Sequence, residues 1–140
     1  MNVLDPISTI MTTKLITVNP KDKILDIKAV FDNNRIHHIP VVRYKELVGI
    51  ISKSDFLAFL RGGSRKIDDS ISNQVRLDYY TAEDIMTTGI AKLSSMDHIS
   101  TAIEVFKENL FHAIPIVDEG QLVGILTTYD IINSLSLVKA

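Results

Sequence analysis

Two seven-residue stretches gather the groups that could bind or transform a ligand. They are Gly49-Ile50-Ile51-Ser52-Lys53-Ser54-Asp55 and Gly124-Ile125-Leu126-Thr127-Thr128-Tyr129-Asp130. In each, an apolar run with the character of a buried strand passes into hydroxyls and one carboxylate, where a helix starts near Ser54 or Tyr129. A helix N-terminus offers unpaired N–H groups and the positive end of the helix dipole, both suited to phosphate. Ser52, Ser54 and Thr127 add hydroxyls. A carboxylate only accepts hydrogen bonds, so Asp55 or Asp130 can take both hydroxyls of a ribose diol. Apolar strand edges can hold a purine ring and read its polar edge with backbone groups. A plainer alternative stands beside this: both aspartates stabilise the first turn of a helix and nothing more.

Catalysis is not expected. The chain has no Cys, and with it go disulfides, zinc ribbons and thiol nucleophiles. It has no Gly-x-x-x-x-Gly-Lys, Gly-x-Ser-x-Gly or His-Glu-x-x-His. His37 and His38 are adjacent, and neighbours on a strand point to opposite faces, so they make a poor shared metal site. Asp55 and Asp130 could form a carboxylate pair, but their strand-to-helix setting fits ribose binding better.

The elements that must position these groups come in duplicate. Ile10-Met11-Thr12-Thr13 returns as Ile85-Met86-Thr87-Thr88, and His37-x-Ile39-Pro40-x-Val42 as His112-x-Ile114-Pro115-x-Val117. Leu47-Val48-Gly49-Ile50 returns as Leu122-Val123-Gly124-Ile125, and Asp55 as Asp130. The offset is 75 residues every time, and 18 of the 48 pairs aligned between 10–57 and 85–132 are identical. We divide the chain into a first copy at 1–60, a connector at 61–80 and a second copy at 81–140.

Each copy reads as β-α-β-β-α. Asp5-Pro6 is a helix start, with Asp as N-cap and Pro at N1, and Thr81-x-x-Asp84 is a capping pair. Leu15–Val18 and Ile90–Leu93 are short strands. Ile24, Ile27 and Phe31 fall at helical spacing, as do Ile99, Ala102 and Phe106. Asn34 and Asn109 stand where a left-handed C-cap suits Asn. Two β-rich runs follow, with Glu119-Gly120 as the hairpin turn of the second pair. The connector reads as solvated: Arg61-Gly62-Gly63-Ser64-Arg65 is a flexible basic turn, Asp68-Asp69 is acidic, and Tyr79-Tyr80 can pack on either copy or on a partner. One copy of about 50 residues is too small to bury both faces of its sheet alone. Two copies can pack sheet to sheet about an internal pseudo-two-fold, with ligand clefts between them.

Composition narrows the class. With 140 residues and 46% hydrophobic content the chain can bury a core without staples. A net charge of -2 gives no bulk attraction to nucleic acid or anionic membrane. No apolar run approaches the ~18 residues of a membrane span, and Asp5-Pro6 interrupts any apolar leader. A cytoplasmic protein is the expectation. Phe56, Leu57, Phe59 and Leu60 make one helix apolar nearly all round, and Ile131, Ile132 and Leu135 do likewise in the second copy. Such helices suggest burial in a homodimer.

The repeated motifs resemble the CBS domain, named after cystathionine β-synthase, and the pair resembles a Bateman module. The fold implied is α/β of the α+β kind, with tandem repeats. The resemblance implies adenine nucleotide (AMP, ADP or ATP) as ligand, with no obligatory cofactor. Alternatives are S-adenosylmethionine or NADH, or a metal-gated or purely structural dimerisation scaffold. Carried over residue by residue, Asp55 and Asp130 hold ribose hydroxyls, and Ser52 and Thr127 lie near ribose or phosphate. Ser54 adds a hydroxyl where the second copy has Tyr129. His37 and His38 meet phosphate. His112 matches His37, but Ala113 stands where a second donor belongs. Backbone groups around Ile16 and Ala91 read the purine, generally facing the Asp of the other copy, and Pro40 and Pro115 line the cleft. The copies are therefore expected to give two unequal sites, the fuller one at Asp55. A signal would pass to an effector protein through conformational or oligomeric change.

Overall fold

The computed structural model describes residues 1–62, 73–109 and 112–136. The chain forms two compact units, Ile16–Gly89 and Met1–Leu15 with Ile90–Ala140. We call them the Asp55 unit and the Asp130 unit. Their borders cut across the repeats, because the opening segment of each copy packs on the hairpin of the other. In the Asp55 unit Thr87 bridges Ile50, and in the Asp130 unit Thr12 bridges Ile125.

The Asp55 unit runs α1 (Ile24–Asn33), β1 (His38–Arg43), β2 (Glu46–Ser52), α2 (Lys53–Leu60), α3 (Asn73–Tyr79) and α4 (Ala82–Ile85). The Asp130 unit has a 3-10 turn at Ile7–Thr9, then α5 (Ile99–Asn109), β3 (Ala113–Asp118), β4 (Gln121–Thr127) and α6 (Thr128–Ser136). Helix α1 forms because Ile24, Ile27 and Phe31 share one face, and all three are buried. In α5, Ile99, Ala102 and Phe106 are buried in the same way. Each such large apolar side chain contributes about 1.5–3 kcal/mol by leaving water. Phe31 rests on Phe56 with ring centroids 5.2 Å apart.

Each unit is centred on an antiparallel hairpin. β1 pairs with β2 from His38↔Ser52 to Arg43↔Glu46, and β3 with β4 from Ala113↔Thr127 to Asp118↔Gln121. A bulge falls at Val41/Val42 and at Ile116/Val117, again 75 residues apart. The turns are two-residue turns with positive φ at both positions, Tyr44-Lys45 and Glu119-Gly120. This geometry matches the right-handed strand twist.

The expected strands at Leu15–Val18 and Ile90–Leu93 shrink to single parallel bridges, Val18↔Val41 and Leu93↔Ile116. These bridges explain the two strand prolines. Val18 N–H donates to the Pro40 carbonyl and Val42 N–H to the Val18 carbonyl; Leu93 repeats this with Pro115 and Val117. On the other side, Ile50 and Ile125 spend their backbone groups on Thr87 and Thr12. No proline N–H is called for on either edge.

Three local expectations are corrected. Asp5 is not a helix N-cap: Pro6 holds the cap position of the three-residue turn, with no side-chain cap bond. The Asp5 carbonyl instead accepts from Ile99 N–H at 3.0 Å. Asn34 is extended, with φ -139°, and its side-chain amide donates to the Val30 carbonyl at 2.9 Å. The last turn is thus closed without a left-handed residue; the side chain of Asn109 lies outside the described residues. Helices α2 and α6 begin at Lys53 and Thr128, so Ser54 and Tyr129 lie inside them.

The Thr81/Asp84 pair behaves as the sequence predicts. Thr81 N–H donates to the Asp84 carboxylate at 2.8 Å, and Asp84 lies in the first turn of α4. The end of the connector is packed rather than solvated. Arg76 is buried, and Leu77 and Tyr80 pack on the core of the Asp55 unit. Tyr80 meets Phe59 edge-on at 5.6 Å, whereas Tyr79 is exposed. Gly63-Ser64-Arg65 and Asp68-Asp69 lie outside the described residues. Among the described residues no helix is long and apolar enough to cross a membrane. The helix faces assigned to a dimer divide: Phe56 and Phe59 are core residues, while Leu57, Ile132 and Leu135 are exposed.

Candidate ligand site

In both units the hairpin's second strand runs directly into a helix, and the connection is fixed by backbone bonds. Lys53 N–H donates to the His37 carbonyl at 2.8 Å, and Thr128 N–H to the His112 carbonyl at 3.0 Å. The residues before the hairpin are thereby tied to the start of the helix that follows it. Ser52 and Thr127 are the caps: the Ser52 and Thr127 hydroxyls accept the Asp55 and Asp130 N–H, each at 3.1 Å. Their hydroxyls satisfy helix donors that would otherwise be orphaned. A capping hydroxyl keeps its own proton for a further acceptor.

The Asp55 unit holds Ile16, His37, His38, Pro40, Ser52, Ser54 and Asp55. His38 stands opposite Ser52 in the ladder and Pro40 opposite Ile50. Ser52 and Ser54 place their hydroxyl oxygens 3.2 Å apart. Asp55 is exposed, and among the described residues no group donates to its carboxylate. The His37 side chain is exposed and His38 is half-buried.

The Asp130 unit holds Ala91, His112, Pro115, Thr127 and Asp130. Ala113 stands opposite Thr127 and Pro115 opposite Ile125. Here the carboxylate is engaged on both oxygens. Thr127 N–H donates to Oδ2 at 2.9 Å, and the Thr12 hydroxyl donates to Oδ1 at 3.0 Å. Asp130 is half-buried.

Both units bury the site proline, and its carbonyl is already taken by the neighbouring bridge. Ile16 and Ala91 are half-buried, and among the described residues no backbone hydrogen bond reaches either. Their amide and carbonyl groups suit a purine's polar edge. Among the described residues no cluster of three or more His, Asp or Glu could hold a metal ion.

Sequence reasoning missed Thr12, and it missed why Gly49 and Gly124 recur. A Cβ at Gly49 would lie 2.5 Å from the Met86 sulfur, and one at Gly124 would lie 2.7 Å from the Met11 sulfur and 3.1 Å from the Thr12 carbonyl. Glycine thus lets the Met-Thr segment of one copy lie on the hairpin of the other. Both residues sat in the repeated motifs, but a pattern common to both copies does not say which hairpin it packs on.

The fold defines a duplicated α+β unit, each copy a hairpin passing into a helix. The model of the CBS domain family matches residues 7–62 and 82–137, and the chain belongs to that family, carrying two copies. It is 33% identical over 126 residues to the inosine-5'-monophosphate dehydrogenase of Thermoplasma acidophilum, with 89% of this chain and 22% of that enzyme covered. It is 27% identical over 125 residues to protein MJ1225 of Methanocaldococcus jannaschii, covering 88% of this chain and 44% of that protein. The chain thus spans less than half the length of these relatives.

Solved structures share the fold. That of CBSX2 in complex with AMP has a TM-score of 0.80 at 24% identity, covering 97% of this chain and 99% of that one. The CBS domain pair of protein MJ0100, in complex with 5'-methylthioadenosine and S-adenosyl-L-methionine, has a TM-score of 0.76 at 21% identity, covering 95% and 97%. The CBS domain of a bacterial CNNM/CorC family Mg2+ transporter, in complex with ATP, has 0.77 at 19%, covering 94% and 87%.

Proposed function

We propose that this chain is a regulatory module that binds an adenine nucleotide (AMP, ADP or ATP) at its strand-to-helix turns. The observation that carries the reading is the Asp55 turn. An exposed carboxylate to which no group donates among the described residues stands at the start of α2, three residues from the Ser52 cap and next to Ser54. That set offers a diol its acceptor and a phosphate its donors. His37 lies just before β1 and His38 opens it, which places both imidazoles beside this turn. The Asp130 turn is a second, weaker site, since Ala113 removes one donor and Tyr129 replaces a small hydroxyl. That the fold holds AMP, ATP and S-adenosyl-L-methionine in other proteins supports an adenosyl ligand. Binding would shift the population of conformers or oligomers that a partner protein, or a second copy of this chain, reads.

A thermal-shift panel tests this. A ligand of the native state raises the midpoint by mass action. AMP, ADP or ATP at millimolar level should raise it, and the Asp55→Asn variant should lose most of the rise. S-adenosylmethionine raising it while the nucleotides do not would move the reading to a ligand without phosphate. No movement with any of these, or with NADH, would overturn it in favour of a structural scaffold.

A further inference from the structure

We propose that Thr12 is an internal competitor for the ligand at Asp130, so that the two sites fill in a fixed order, Asp55 first. The inference rests on the nucleotide reading above and adds a residue that controls one of its sites. A vicinal diol presents two O–H donors to one carboxylate edge. At Asp130 that edge is already in use: the Thr12 hydroxyl holds Oδ1 at 3.0 Å and the Thr127 N–H holds Oδ2 at 2.9 Å. The Thr127 N–H belongs to the backbone of β4 and cannot leave without breaking the helix cap. The Thr12 hydroxyl can leave by rotating one side chain. Each carboxylate oxygen has two lone pairs, so a diol that takes the one Thr12 holds on Oδ1 displaces Thr12.

The other copy supplies the control. Thr87 corresponds to Thr12 and has the same backbone setting: Thr87 and Ile50 exchange N–H···O bonds at 2.8 and 3.0 Å, as Thr12 and Ile125 do at 2.9 and 3.0 Å. Yet among the described residues the Thr87 hydroxyl makes no bond to Asp55. The reason lies in the turn. Ser54 gives the Ser52 cap a hydroxyl partner, and among the described residues no bond runs from Ser52 N–H back to Asp55. Tyr129 offers no such partner, and Asp130 closes its capping box on Thr127. The closed box holds the Asp130 carboxylate where Thr12 reaches it. The contact also links ligand to fold, because Thr12 sits on the segment whose Met11 lies over Gly124.

The test is calorimetric titration of the full chain with AMP, for the wild type and for Thr12→Val, Thr12→Ala and Thr12→Ser. Asp55→Asn and Asp130→Asn assign the two phases. Thr12→Val should tighten the Asp130 phase about three- to tenfold, the range that one net hydrogen bond covers, and leave the Asp55 phase unchanged. Thr12→Ala should do the same if the valine variant does not fold, and Thr12→Ser should behave as wild type. An Asp130 phase that is unchanged or weaker in the valine and alanine variants overturns the competitor role while leaving the nucleotide reading intact. Absence of AMP heat in the wild type and every variant overturns both.

Discussion

The Asp55 and Asp130 units repeat one backbone almost bond for bond and differ in what their side chains do with it. Bridges, bulges, helix starts and the proline positions recur at the same offset of 75 residues. The aspartate of one turn is open to solvent, and that of the other is closed by Thr12 and Thr127 N–H. The duplication kept the scaffold, whose bonds are backbone bonds insensitive to most substitutions. The two turns differ because single hydroxyls decide there which groups pair.

The glycines give the largest expected difference in stability. Gly49→Ala and Gly124→Ala should each cost about 1–3 kcal/mol, the usual penalty for overpacking. In Gly49→Ala the three atoms nearest the methyl all belong to the Met86 side chain, the first at 2.5 Å. In Gly124→Ala it also meets the Thr12 carbonyl at 3.1 Å, which cannot repack. Denaturant melts should therefore rank Gly124→Ala as the more damaging, and the reverse ranking would show that the Met-Thr segment adjusts freely in the Asp130 unit.

A smaller difference separates the hairpins. Both turn positions need positive φ, and Lys45 has φ 70° where Gly120 has φ 78°. A side chain held there costs roughly 1–2 kcal/mol, and glycine returns part of the gain through its looser unfolded chain. Lys45→Gly should stabilise the protein by about 0.5–1 kcal/mol, measured by the same melts. Gly120→Lys should destabilise it by a similar amount.

The smallest difference is acid sensitivity. Asp118 of the Asp130 unit accepts from the Ser95 hydroxyl, from Ser95 N–H at 3.0 Å and from the Ser94 hydroxyl at 3.0 Å. These donors, Ser95 first, hold its carboxyl below the ordinary 3.8, with desolvation opposing them. Arg43 takes its place in the other copy. A depressed carboxyl stabilises the fold above its unfolded value and loses that contribution as pH falls through the folded one. NMR titration should place the Asp118 midpoint below 3.8, with the turn at 94–97 loosening only in that acid range. A midpoint at or above 3.8 would mean that the serines do not hold the carboxylate in solution.

Much of this was legible in the sequence. The helical spacing of Ile24, Ile27 and Phe31 predicts the buried face of α1, and the same holds for Ile99, Ala102 and Phe106 in α5. Thr81 and Asp84 cap as written, and the hairpins and the turn at Glu119-Gly120 lie where the pattern puts them. The exchange of opening segments was not legible for a physical reason. Two nearly identical motifs fit two nearly identical hairpins, so local pattern is degenerate between packing on its own copy and on the other. The cap at Ser52 rather than Ser54 turns on a two-residue choice between adjacent hydroxyls. The short edge strands failed because a single bridge needs no run of β-formers. At the site, the residue types were readable, but the closure of Asp130 by Thr12 depends on a long-range contact that Thr87 does not repeat.

Titration of the wild-type chain with AMP, repeated on Asp55→Asn and Asp130→Asn, tests most directly whether the two copies bind unequally. We expect two phases of different affinity, the tighter abolished by Asp55→Asn and the weaker by Asp130→Asn. Two equal and independent sites, or a tighter phase that survives Asp55→Asn, would contradict the account.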